Sequence, residues 1–177
     1  MMQARIRILT FGILVPGILT LICMAWLWPA IGFAQSTASH GDWNANVSQS
    51  GDNGKACTMW SQPDSAEGDY KRRGEIYAFL THWPAINRRG EFSLQMGYRL
   101  REQSVVEVAI GTQQFSMAAF GNFAYADGAD TNRLLNALRG GTVMTVKGIS
   151  WRGTVTTDRY SLIGFTRMLN WINQQCA

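Results

Sequence analysis

The stretch Ser150 to Cys176, SWRGTVTTDRYSLIGFTRMLNWINQQC, constrains the fold of this chain more tightly than any other. Leu162, Phe165, Leu169 and Ile172 recur at three- and four-residue spacing, so they fall on one face of a helix, with Thr166, Arg167, Asn170 and Asn173 on the other. Asp158, or the competing Ser161, stands where a side-chain oxygen can accept from the free N–H groups of the first turn. Gly164 falls inside the pattern although glycine costs about 1 kcal/mol against alanine in a helix, which predicts close packing of the helix against a flat surface, expected to be a sheet. Ser150 to Thr157 is rich in Gly and Thr and suits a strand or a turn into that helix.

Upstream, short β-forming runs alternate with turn residues. Trp43 opens the first candidate strand, which ends in the Gly51 to Gly54 turn. Cys57 to Ser61 is the next, and Gln62 to Arg73 reads as a polar loop. Glu75 to Trp83 is stopped by Pro84 and is followed by Phe92 to Arg99. In Val105 to Ile110, Val106, Val108 and Ile110 alternate with Glu107 and Ala109, and Gly111-Thr112 connects to Gln114 to Phe120 as a hairpin. Asn122 to Gly128 reads as an aromatic loop holding Phe123 and Tyr125. Asp130 or Thr131 caps a short helix with Leu134, Leu135 and Leu138 inward, ended by Gly140-Gly141, and Thr142 to Lys147 is one more strand. The sum is about seven strands and two short helices, the second C-terminal: a mainly β chain, in which strands at this spacing argue for a β-sandwich.

The N-terminus has the order of a secretory signal: Arg5 and Arg7, an apolar run from Ile8 to Ile31, then Gly32-Phe33-Ala34. Cleavage after Ala34 is expected, leaving residues 35–177 as a single domain that begins with a flexible lead from Gln35 to Asp42. The apolar run is also long enough to span a bilayer, so residues 1–34 read alternatively as a retained anchor. Cys23 leaves with the signal. The remaining pair, Cys57 and Cys176, is most simply a disulfide in an oxidising compartment; a reactive or metal-binding pair needs a CxxC spacing or neighbouring histidines, and neither is present.

Of 16 basic residues, Arg5 and Arg7 belong to the leader, leaving 14 against 12 acidic residues. So small an excess does not point to nucleic acid. The positive charges nevertheless cluster at turns, as Lys71-Arg72-Arg73, Arg88-Arg89, and Arg99 with Arg101. They read as solvated loops, unless the three turns meet at one end of the fold, which would favour a dedicated anion or lipopolysaccharide site.

Candidates for catalysis are sparse. The two histidines are His40, in the expected lead, and His82 beside Trp83, and no nucleophile elbow surrounds any serine. No metal-ligand spacing, phosphate loop or dinucleotide fingerprint appears, so neither metal nor cofactor is expected. A hydrolase would need His82, or a pair among Asp127, Asp130 and Asp158, to converge in a cleft. Five tryptophans, Trp43, Trp60, Trp83, Trp151 and Trp171, remain after the leader. Some must be core; Trp83 next to Pro84 and Trp151 before Arg152 are the candidates for exposed anchors.

The order Ser150, Arg152-Gly153, Asp158, Tyr160-Ser161-Leu162, Gly164-Phe165 and Cys176 resembles the invasion-associated locus B (IalB) family, envelope or secreted proteins mostly of alphaproteobacteria. The likeness extends to Asp42-Trp43, Gly97-Tyr98, Leu134-Leu135 and Met144-Thr145-Val146. The chain departs from the family in one respect: members often carry a further cysteine soon after the Trp, and Asn44 to Ser50 has none. The resemblance implies an immunoglobulin-like β-sandwich and an exported, non-enzymatic interaction module of the periplasm or cell surface, with a protein or another envelope component as partner. Within the motif, Ser150, Arg152, Asp158 and Tyr160 are candidates for a polar cluster, with Asp158 beside a guanidinium, serving either to hold a strand-to-helix corner or to bind. The rival reading is an accessory subunit of a membrane complex, held by an uncleaved N-terminal helix.

Overall fold

A computed structural model describes residues 36–49, 51 and 54–177. The expected signal sequence or anchor at 1–34 lies outside the described residues, as do Gln35 and the middle of the Gly51 to Gly54 turn.

The described residues are mainly β, with eleven strands and two α-helices, the second C-terminal. In chain order the strands are β1 (Thr37–His40), β2 (Trp43–Gln49), β3 (Lys55–Ser61), β4 (Ser65–Gly68), β5 (Tyr77–Trp83), β6 (Arg88–Gln95), β7 (Val105–Ile110), β8 (Gln113–Phe120), β9 (Phe123–Ala126), β10 (Val143–Ile149) and β11 (Val155–Ser161). The helices are α1 (Thr131–Gly140), between β9 and β10, and α2 (Phe165–Gln175). Hydrogen bonding runs continuously in the order β1-β2-β3-β5-β6-β9-β8-β7-β10-β11-β4, every pair antiparallel. The inner faces of both halves feed one apolar cluster, from Met59, Leu80 and Phe92 on one side to Val108, Met117 and Val146 on the other. The strands therefore wrap over a single core, as the packing of a sandwich requires.

The alternation in β7 is borne out: Val106, Val108 and Ile110 are buried while Val105 and Glu107 face solvent. Its hairpin to β8 turns on Gly111-Thr112, pairing Ile110 with Gln113. Three segments read as irregular are strands. Thr37–His40, within the expected flexible lead, pairs with β2; Ser65–Gly68, within the expected polar loop, pairs with β11; and Phe123–Ala126, read as an aromatic loop, lies between β6 and β8. Each is only four residues long and takes its order from neighbours that supply backbone partners, a tertiary effect that local periodicity does not carry.

Helix α2 packs on β1, β2 and β3 through Phe165, Met168, Leu169 and Ile172. Leu162 precedes the helix but is buried with them. Trp43 anchors its start, meeting Phe165 edge to face at 4.9 Å while its Nε1–H donates to the Ser161 carbonyl at 3.0 Å. The Cys57–Cys176 disulfide fastens its end to β3. Neither Asp158 nor Ser161 caps this helix. Both belong to β11, and the N-cap is Gly164, at φ +96°. A Cβ there would collide with the His40 carbonyl, so glycine is required by its backbone angle and by the β1–β2 turn, not by the flatness of a sheet. In α1, Leu134, Ala137 and Leu138 are buried and Leu135 partly so, but Asp130 makes no side-chain cap; Asp127 caps the preceding 3-10 turn, accepting from the Ala129 N–H.

Candidate functional site

A cleft of about 570 Å³ opens where three turns meet: the segment after β4, the segment after β6, and the β10–β11 connection. The first contributes Asp69, Tyr70, Lys71 and Arg72, the second Tyr98 and Arg99, and the third Ser150, Trp151, Arg152 and Thr154, with Thr156 following in β11. Two of the three basic clusters thus converge, joined by Arg152. The third does not line the cleft: Arg88 pairs with Glu91 at 2.8 Å on the surface.

The turns are held together by backbone and by one buried ion pair. Leu100 bridges Ser150, and the Gly74 N–H donates to the Gly97 carbonyl at 2.8 Å. At Gly97, φ +70° and the Gly74 carbonyl leave no room for a Cβ, so glycine lets the first two turns touch. That contact sets Arg73, whose Nε donates to the Met96 carbonyl at 2.8 Å and whose Nη1 and Nη2 donate to the two Asp158 oxygens at 2.5 and 2.6 Å. The two side chains are 3 % and 0 % exposed, so this is a buried bidentate pair, the strongest geometry available to these groups. Burial works against the Arg73 charge, but the hydrogen bond and field of Asp158 outweigh it and hold the guanidinium pKa above its ordinary value.

Arg73 also lies under the two cleft tyrosines, 4.9 Å from the Tyr98 ring centroid and 5.6 Å from that of Tyr70. The Tyr70 hydroxyl donates to the Ala66 carbonyl at 2.8 Å, and the Tyr98 hydroxyl is 2.6 Å from that of Thr156. Burial raises the Tyr98 pKa, although Thr156 and Arg73 pull it down. Arg73 and Asp158 therefore fix the rings of the cleft from behind, while the positive charges that face solvent are Lys71, Arg72, Arg99 and Arg152, with Asp69 the acid among them.

Of the residues singled out as binding candidates, Trp151 and Arg152 line this cleft. Trp151 is 59 % exposed, and the Arg152 guanidinium sits 4.8 Å from its ring centroid. Ser150 is also there, its Oγ accepting from the Thr154 N–H at 3.1 Å. The expected cluster of Ser150, Arg152, Asp158 and Tyr160 does not form, because Asp158 takes Arg73 as its partner and Arg152 points to Trp151. Asp158 and Tyr160 are wholly buried, since Thr156, Asp158 and Tyr160 alternate on the inner side of β11. The Tyr160 hydroxyl has no partner among the described residues, and burial, with Asp158 adding to it, pushes its pKa far up. Trp83 ends β5 next to Pro84, half-buried and outside the cleft.

The groups a hydrolase would recruit stand apart. His82 is buried, its Nδ1 accepting from the Gly90 N–H at 2.9 Å, so the proton is on Nε2, which donates to Asn173 Oδ1 at 2.8 Å. Asp130 holds Arg133 at 3.1 Å, Asp127 caps its turn, and Asp158 is in the buried pair. Sequence reasoning missed Arg73 as the partner of Asp158. The partial signal was Asp158 itself, since a buried carboxylate calls for a partner, but nothing local marks which arginine supplies it. It also missed Tyr70 and Thr156, which carry no pattern of their own.

A family model described as Invasion associated locus B (IalB) protein matches residues 43–173. No curated protein and no solved structure matches the chain.

Proposed function

Because the chain belongs to the invasion associated locus B family, we propose that it is an exported, non-enzymatic protein of the periplasm or cell surface that binds an envelope partner through the cleft at Trp151. The observation that carries this reading is the convergence of an exposed Trp151, Arg152, Lys71 and Arg72 on one concave face. Large aromatic rings and arginines left at the surface together are the residues that dominate binding energy at interfaces. The side chains that catalysis would need serve instead as internal partners: His82 joins β5 to α2 and β6, and Asp158 neutralises Arg73. The disulfide between β3 and the end of α2 suits an oxidising compartment.

Two measurements test this proposal. The intact mass of the native protein from periplasmic and membrane fractions should show a soluble species lacking residues 1–34 and lighter by two hydrogens before reduction. A full-length species confined to membranes would replace it with the anchored-subunit reading. A photo-crosslinking residue in place of Trp151 should capture an envelope component in living cells, whereas one in place of Ile86, exposed but outside the cleft, should not. Equal capture at both positions, or none at 151, would remove the cleft from the proposal.

A further inference from the structure

Three cations of the cleft, Lys71, Arg72 and Arg152, are exposed and have no carboxylate at ion-pair distance among the described residues. Arg99, by contrast, is held by Glu102 at 2.6 Å, and among the described residues Asp69 is the single acid lining the site. Like charges gathered around a concave surface concentrate positive potential there and repel one another. A multiply charged anion removes that repulsion. Arginine forks and a lysine ammonium are the side chains that match phosphate oxygens.

The rest of the lining is not that of a bare anion hole. Trp151 presents a large ring beside Arg152, and Ser150, Tyr98 and Thr156 line the same cleft. Ser150 Oγ accepts from the Thr154 N–H, which leaves its own proton free to donate. The negative face of an indole attracts the weakly positive C–H face of a pyranose. The volume, about 570 Å³, is that of a small-molecule site and holds one or two sugar rings. A single-stranded nucleic acid would need a basic groove several nucleotides long, with successive aromatic platforms.

We propose that the cleft formed by Lys71, Arg72, Trp151 and Arg152 is a binding site for a phosphate-bearing sugar, the phosphate on the cations and the sugar ring against Trp151. The same chemistry occurs in a free sugar phosphate and in the phosphorylated sugar headgroup of a lipid. The inference rests on the reading of this face as the binding face.

The test is calorimetric titration of the native protein, in the form in which cells accumulate it, with glucose 1-phosphate, glucose and inorganic phosphate. Cosedimentation with phosphatidylcholine vesicles, with and without lipid A, runs beside it. Saturable binding of the sugar phosphate is expected, about tenfold or more tighter than glucose or inorganic phosphate and weakening as salt is raised. Binding to lipid A vesicles alone would assign the lipid source, and binding to the soluble probe alone the free one. Joint Arg72→Ala and Arg152→Ala replacement, at exposed positions, should weaken binding about tenfold or more, and Trp151→Ala should abolish the preference for sugar phosphate over phosphate. Failure of the soluble sugar phosphate and of lipid A vesicles alike would overturn the inference. So would unchanged affinity in the variants, equal affinity for inorganic phosphate, or tighter binding of a single-stranded oligonucleotide. If these probes fail while crosslinking at position 151 persists, the binding-face reading stands and only the ligand class falls.

Discussion

Arg73→Met removes one half of the ion pair behind the cleft and leaves Asp158 charged, wholly buried and without its two donors. Breaking a buried pair from one side costs about 3–5 kcal/mol, because the remaining charge has neither water nor a partner. The Met96 carbonyl also loses the Nε–H, about 1 kcal/mol more. Met keeps most of the apolar volume under Tyr70 and Tyr98, so little is added for a cavity. The expected loss is therefore about 4–6 kcal/mol, a large share of the roughly 5–15 kcal/mol that stabilises a domain. Urea unfolding of the oxidised protein, followed by tryptophan fluorescence, should show a lower midpoint at unchanged slope. The melting temperature should fall by roughly 10–15 °C. Adding Asp158→Leu removes the stranded charge, and the double variant should recover about 2 kcal/mol or more of that loss. A single-variant loss below about 1 kcal/mol, or a double variant no more stable than Arg73→Met, would refute the assignment of this pair as a buried, mutually dependent unit.

Tyr160→Phe deletes a hydroxyl with no partner among the described residues, so stability at neutral pH should be unchanged or up to about 1 kcal/mol higher by the same unfolding assay. The raised pKa of Tyr160 means that above about pH 10 the unfolded state ionises this group while the folded state keeps its proton. Its contribution is thus fully present below that pH and is lost above it, at up to about 1.4 kcal/mol per pH unit, and Tyr160→Phe should flatten that alkaline decline. Gly164→Ala forces a Cβ against the His40 carbonyl at φ +96°, and should cost about 2 kcal/mol or more and expose the start of α2 to proteolysis. Cys57→Ser with Cys176→Ser, which opens a link across 119 residues, should lower stability by about 5 kcal/mol on the chain-entropy model, read as a shift in urea midpoint.

Much of the scaffold was legible along the chain because local patterns encode it. Val106, Val108 and Ile110 announce an inward strand face, Gly111-Thr112 a hairpin, and Phe165, Leu169 and Ile172 a helix face, each by a spacing that the regular structures impose. The Cys57–Cys176 pair followed from there being two cysteines in residues 35–177. The four-residue strands at Thr37, Ser65 and Phe123 were not legible, since their order comes from strands that are distant in sequence.

The sequence by itself determined a mainly β domain with a C-terminal helix, a disulfide and clusters of positive charge, because spacing, residue count and charge are properties of the chain read in order. Only the tertiary structure decided which charges meet. Lys71, Arg72 and Arg152 line one cleft with Trp151, while Arg73, adjacent to two exposed cations, turns inward to Asp158, 85 residues away. No local rule distinguishes Arg73 from its neighbours. The distinction arises because Asp158 points into the core from β11 and a buried carboxylate cannot stand unpaired, so the fold that buries it selects its counter-ion.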